Sequence, residues 1–78
     1  MSPAPANQFL DLSKEEQRIC RLLADGCTMK EIAALLDVSV VNLHGRIKRT
    51  RYRSGCRSIL RLVVRYLEEY CGVLDPLP

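Results

Sequence analysis

The chain has 78 residues, of which 47% are apolar, with one Phe, three Tyr and no Trp. This length allows one small domain, and the composition predicts an aliphatic core and argues against disorder. The net charge of +3 hides a strong segregation, because residues 38–65 contain eight Lys/Arg and no Asp/Glu. The flanks are acidic on balance. Residues 1–37 contain four basic and six acidic residues, and residues 66–78 contain no basic and three acidic residues. Such a run creates a local positive field that a polyanion can use.

Several classes of protein are excluded by features that the sequence lacks. The sequence contains no run of about 18 apolar residues, so we expect no membrane span. Residues 1–7 have neither the basic nor the hydrophobic part of a secretion signal. The four cysteines form no Cys-x-x-Cys pair and there is one histidine, so we expect reduced, buried thiols, no metal site and no cofactor. No nucleophile–base pair or phosphate-binding glycine loop is present, so we expect no enzyme. These features predict a cytoplasmic protein.

The first predicted helix follows a Pro/Ala-rich segment, residues 1–9, which we expect to be a flexible tail. Ser13 and Glu16 have the S-x-x-E spacing of a capping box, in which both side chains bind free amides at a helix start. The helix should end at Gly26, because glycine allows the left-handed turn that closes a helix. Its expected apolar face consists of Ile19, Cys20, Leu22 and Leu23.

A second capping box, formed by Thr28 and Glu31, predicts a short helix that stops near Asp37. Ser39 is a suitable N-cap for a third helix, which we predict to run to about residue 52. About four residues then join the second and third helices, which is the spacing of a helix-turn-helix with the third helix as reader. The acid-free basic run begins on this third helix and strengthens the interpretation.

The predicted fourth helix runs from about residue 58 to residue 70 or 71 and is more apolar than a helix packed on one side. One stripe, which we expect to close the core, consists of Ile59, Leu62, Val63, Tyr66 and Tyr70. A second stripe with the spacing of a helix-pairing seam consists of Leu60, Val64, Leu67 and Cys71. We predict that this second stripe is a homodimer interface, since three other short helices offer little to cover it. The alternative is that both stripes are buried within one chain.

The predicted fold is all-α, with four short helices. A tri-helical helix-turn-helix core and a C-terminal dimerisation helix fill residues 10–73, and residues 74–78 form a short tail. Residues 12–16, 30–33 and 36–39 resemble the four-helix DNA-binding domain of LuxR/GerE-type regulators. The resemblance runs without gaps from residue 12 to about residue 73.

The reader helix departs from that family pattern. Asn42 and Leu43 stand where the family usually has Thr and Val, and Arg46 replaces the usual His. Thr50 and Ser54 replace apolar residues. The same helix is also similar to region 4 of extracytoplasmic-function sigma factors. The long apolar fourth helix favours the LuxR/GerE resemblance, since region 4 usually ends soon after its reader.

The resemblance and the geometry of the helix assign roles on the reader. By resemblance, the base-reading positions of the family fall on His44, Gly45 and Lys48. A helical wheel adds Val41 and Asn42 to the side of the helix that lies away from Leu43 and Ile47. Lys can donate to guanine and Asn to adenine in the major groove. We expect phosphate contacts from Thr28, together with the backbone amides at the start of the second helix, and from Arg46, Arg49, Arg51 and Arg53. We expect one or two of these arginines to pair with carboxylates within the domain instead.

The sequence therefore predicts a regulator of transcription, of bacterial or phage type, that binds double-stranded DNA as a homodimer. We expect it to stand alone, without a receiver or ligand-binding domain, so that its abundance or a partner sets its activity. A first alternative is a protein-interaction module whose fourth helix docks RNA polymerase or another regulator. A second alternative is a sigma-like promoter reader that needs RNA polymerase.

Overall fold

The computed structural model describes residues 10–72, in which four α-helices follow one another and no strand occurs. They are α1 (Lys14–Ala24), α2 (Met29–Leu36), α3 (Val40–Ser54) and α4 (Ile59–Tyr70). The prediction of an all-α fold with four short helices is confirmed. The predicted tails at 1–9 and 74–78 lie outside the described residues, as does residue 73. None of the four helices is long and apolar enough to cross a bilayer.

The first three helices begin at the predicted N-caps. The amide of Ser13 donates to Glu16 Oε1 at 2.8 Å, and the amide of Glu16 donates to Ser13 Oγ at 3.1 Å. Thr28 and Glu31 form the second capping box in the same way, at 2.7 Å and 3.1 Å. Ser39 caps α3 with its hydroxyl alone. These hydrogen bonds join residues three apart, so the local sequence is enough to specify them.

Left-handed residues end α2 and α3. Asp37 closes α2 with φ 58° and ψ 46°, a conformation that a short polar side chain tolerates. Helix α3 ends at Ser54, beyond the predicted end at residue 52, where Gly55 adopts φ 70°. The longer helix includes Arg53, which therefore has a fixed place beside α1.

Two apolar clusters hold the helices together. The first cluster joins α1, α2 and α3 and consists of Ile19, Ile32, Ala33, Leu43 and Ile47. The second cluster joins α1 to α4 and consists of Leu10, Leu12, Cys20, Cys56, Leu62 and Tyr66. Since Leu43 and Ile47 belong to the first cluster, the inner side of α3 is fixed in the core and its other sides are left for solvent or a partner.

The four cysteines are free thiols with two kinds of environment. Cys20 and Cys56 are buried, whereas Cys27 and Cys71 are half-buried. Burial, followed by the charge of Glu16 and the neighbouring Cys56, raises the pKa of Cys20 to about 11. The Cys20 thiol therefore stays protonated at neutral pH and behaves as a small apolar side chain.

The apolar stripe that was predicted to pair two chains is partly used within one chain. Leu67 and Cys71 pack against the second cluster. These two residues pack where α4 meets α1 and the segment before it, since the second cluster includes Leu10, Leu12 and Cys20. Leu60 is 73% exposed, and Val64 is half-buried.

Candidate nucleic-acid interface

The outer side of α3 is exposed to solvent along its length. Its inner residues Leu43 and Ile47 are 0% and 2% exposed, so the orientation of the helix is set by the core. The five residues predicted to read bases are all exposed, namely Val41, Asn42, His44, Gly45 and Lys48. The structure thus presents them together on the part of α3 that does not pack. Their contacts with bases stay a prediction.

Two of these residues have no role inside the described fold that explains their type. Val41 is an apolar residue that is 81% exposed. At Gly45, an added Cβ would meet nothing within 4 Å. Packing therefore does not require glycine at this position, although glycine weakens a helix by roughly 0.5–1 kcal/mol relative to alanine. The smooth, open surface at Gly45 leaves room for another molecule to approach the backbone of α3.

Arg46 lies on the edge of α3 that faces α1. Its guanidinium pairs with Glu15, and its Nε donates to Asn42 Oδ1 at 2.6 Å. The side chain of Asn42 therefore has its oxygen engaged by Arg46. A bidentate contact with adenine needs both the oxygen and the nitrogen of the amide. The predicted roles of Arg46 as a phosphate ligand and Asn42 as a base reader both compete with this internal contact.

Glu16 is the centre of a second network between α1 and α3. Its carboxylate accepts hydrogen bonds from the Ser13 amide at 2.8 Å, the Thr50 hydroxyl at 2.7 Å and Arg53 Nη2 at 2.6 Å. Burial alone would raise the pKa of Glu16, but the hydrogen bonds from Arg53, Ser13 and Thr50 outweigh it and lower the pKa to about 2. Glu16 is therefore ionised at neutral pH and gives Arg53 a fixed counter-charge.

Two arginines that were predicted as phosphate ligands thus pair with carboxylates of α1. This outcome confirms the expectation that one or two of them would do so. Sequence reasoning missed the part played by Thr50, whose side chain is 3% exposed. The sequence did contain a signal for this role, because Thr50 lies three residues after Ile47 and so places a polar side chain in the buried stripe. Such a residue needs a hydrogen-bond partner in the core, and Glu16 supplies it.

The other cations of α3 are not neutralised in this way. Lys48 and Arg49 are exposed and Arg51 is half-buried, and none of the three forms an ion pair within residues 10–72. Lys48 and Arg51 both lie beside the ring of Tyr52. Sequence reasoning did not single out Tyr52, although its position four residues after Lys48 places the two side chains on one helix face.

The predicted phosphate contact at the start of α2 also has an internal competitor. Thr28 is exposed, but its hydroxyl accepts the amide of Glu31 at 3.1 Å. The carboxylate of Glu31 in turn accepts the amide of Thr28 at 2.7 Å. This capping box satisfies two of the free amides and adds a negative charge to the helix start, which weakens its attraction for phosphate. The phosphate contact at Thr28 stays a prediction.

One known protein gives an independent comparison. Over 62 residues the chain is 37% identical to a protein named probable transcriptional regulator ycf29, from Porphyra purpurea. The alignment covers 80% of this chain and 29% of that protein, so the chain spans less than a third of the relative. No protein-family model matches the chain, and no solved structure matches it.

Proposed function

We propose that this chain is a sequence-specific DNA-binding regulator of transcription with a LuxR/GerE-type helix-turn-helix, in which α3 enters the major groove. The observation that carries this proposal is the two-sided character of α3. Leu43 and Ile47 fix its inner side in the core, and its outer side offers Lys48 and Arg49 without a carboxylate partner in the described chain. The similarity to a probable transcriptional regulator supports a regulatory role.

The proposal is tested by selecting bound sequences from a random pool of duplexes. A two-fold dimer should enrich an inverted repeat with half-sites about one helical turn apart. With Arg49 and Arg51 of each protomer on phosphate, the slope of log affinity against log salt should be roughly −4. A slope shallower than about −2, or a pool that shows no enrichment, would contradict the proposal.

We propose that the protein binds DNA as a homodimer through α4, with the contact centred on Leu60 and Val64. Leu60 is 73% exposed, and the neighbouring Val64 is half-buried. Pairing of two copies would bury this apolar surface and place two readers on one side of a duplex. Leu67 and Cys71 then contribute at the edge of the contact, since they already pack against the second cluster.

The charged variant Leu60→Glu tests the dimer without touching the core. We expect it to sediment as a monomer at roughly tens of micromolar and to keep the helical content of the wild type, because an exposed position tolerates charge. Its unfolding midpoint should fall only by the stabilisation that dimerisation gives the wild type, and should no longer depend on protein concentration. Leu35→Glu is the matched control, since Leu35 is 54% exposed on α2. A wild-type protein that is itself monomeric would favour docking of α4 on a different protein, such as RNA polymerase or another regulator.

A further inference from the structure

Tyr52 is an exposed aromatic residue in a basic helix. It is 66% exposed and belongs to neither apolar cluster. Its ring centroid lies 5.6 Å from Lys48 Nζ and 5.6 Å from Arg51 Cζ. Both distances are within the range over which a cation is attracted to the face of an aromatic ring. One ring therefore contacts two cations.

The two cations have few other partners. Lys48 and Arg51 are three residues apart, so their side chains are neighbours on the helix surface and repel each other. Neither forms an ion pair with a carboxylate of the described chain. Arg51 Nε is buried and donates a hydrogen bond to no residue from 10 to 72. The electron-rich ring of Tyr52 offsets part of this repulsion.

We infer that Tyr52 is a positioning residue for DNA recognition, an inference that rests on the proposed function. Lys48 is predicted to read bases and Arg51 to bind phosphate. Because the Tyr52 ring contacts both side chains, it holds the ammonium of Lys48 in a defined position relative to the guanidinium of Arg51. A free lysine side chain loses much rotamer freedom when it is immobilised. A ring that restrains Lys48 before the duplex arrives lowers this cost of binding.

The first test needs no DNA. The ε protons of Lys48 should show an upfield ring-current shift in the NMR spectrum of the wild-type protein. Tyr52→Phe keeps the ring and should keep the shift, whereas Tyr52→Leu should return these protons to ordinary values. An identical Lys48 shift in the wild type and the Tyr52→Leu variant would overturn the inference.

The second test measures binding to a duplex recovered from the random pool. Tyr52→Leu should weaken binding about two- to fivefold, and Tyr52→Phe should leave it unchanged. In a Lys48→Ala and Arg51→Ala background, Tyr52→Leu should have little further effect, since the groups that it positions are gone. Thermal unfolding of each variant checks that the fold is intact.

The results separate several explanations. Equal losses in Tyr52→Phe and Tyr52→Leu would assign the effect to a direct contact of the hydroxyl and overturn the inference. A Tyr52→Leu effect that persists in the double-alanine background would do the same, because the ring would then act without the two cations. A wild-type protein that binds no duplex would refute the proposed function, whereas the Lys48 shifts would still decide if Tyr52 restrains that side chain.

Discussion

The two sides of α3 place the same kind of residue in opposite surroundings. On the side facing α1, Arg46 and Arg53 meet the carboxylates of two consecutive glutamates. Lys48 is exposed on the outer side, and Arg49 is exposed at the edge of the groove that Glu15 and Glu16 line. Neither cation has a carboxylate partner in the described part of the chain. A basic run in a sequence thus mixes cations that join helices with cations that remain available to a polyanion.

The two ion pairs on the α1 side are also unequal. The side chain of Glu16 is 14% exposed and that of Glu15 is 47% exposed. An exposed pair contributes up to about 1 kcal/mol and often less, since water screens it. The Glu16 network is more sheltered and includes the buried hydroxyl of Thr50, so it should contribute more to stability.

The largest effect is expected from Glu16→Gln. The substitution removes the counter-charge of Arg53 and brings an amide NH₂ to a site that now accepts hydrogen bonds. We expect a loss of about 2 kcal/mol in the free energy of unfolding, measured by urea denaturation. Glu15→Gln is the matched control and should cost less than about 1 kcal/mol. Equal losses in the two variants would contradict the difference between the two pairs.

The second prediction concerns acid. The pKa of Glu16 is lowered from 4.5 to about 2 in the folded chain, so its carboxylate stabilises the fold above pH 4.5 and this contribution is lost as the pH falls toward 2. Allowing for screening, the loss should be on the order of 1–2 kcal/mol. Urea denaturation at a series of pH values measures it. Glu16→Gln should show a flatter dependence between pH 4.5 and 2, and a curve parallel to the wild type would refute this assignment.

The third prediction compares an unpaired cation with a paired one. Arg49→Ala should weaken duplex binding roughly tenfold and make the salt dependence shallower, without changing the unfolding midpoint. Arg53→Ala should lower stability by up to about 1 kcal/mol and affect binding less, because its charge is already paired. Anisotropy titrations and thermal unfolding of both variants provide the comparison. If the two variants behaved identically, ion pairing within the chain would not decide which cations are available to bind DNA.

The smallest effect is expected at Gly45. Since an added Cβ meets nothing within 4 Å, Gly45→Ala should raise stability by about 0.5–1 kcal/mol. If the backbone of α3 lies against a duplex as proposed, the same change should weaken binding. Gly26→Ala is the control, because Gly26 also has open space but a φ of 89° that disfavours a side chain. A more stable Gly45→Ala protein with unchanged affinity would place the duplex farther from this point.

Much of the fold could be predicted because its signals are local. The capping residues Ser13, Thr28 and Ser39 bind amides three positions away, and the buried pair Leu43 and Ile47 follows helical spacing. The family resemblance named three of the candidate base readers and the helical wheel added two, and the side of α3 on which they lie follows from this spacing, since the faces of a helix are known once its buried stripe is known. Their exposure was therefore predictable, although their contacts are still to be tested.

The partners of the arginines could not be predicted, because they come from distant parts of the chain. Arg46 pairs with a glutamate 31 positions earlier, and Arg53 with one 37 positions earlier. Such pairs depend on how α1 crosses α3, and residue spacing within either helix does not specify that crossing. The same holds for α4, where contact with α1 covers Leu67 and leaves Leu60 exposed. The sequence by itself determines the capping hydrogen bonds and the apolar face of each helix, because these depend on residues a few positions apart. The partner of each charged side chain is decided by the tertiary structure, because it depends on which helices pack together.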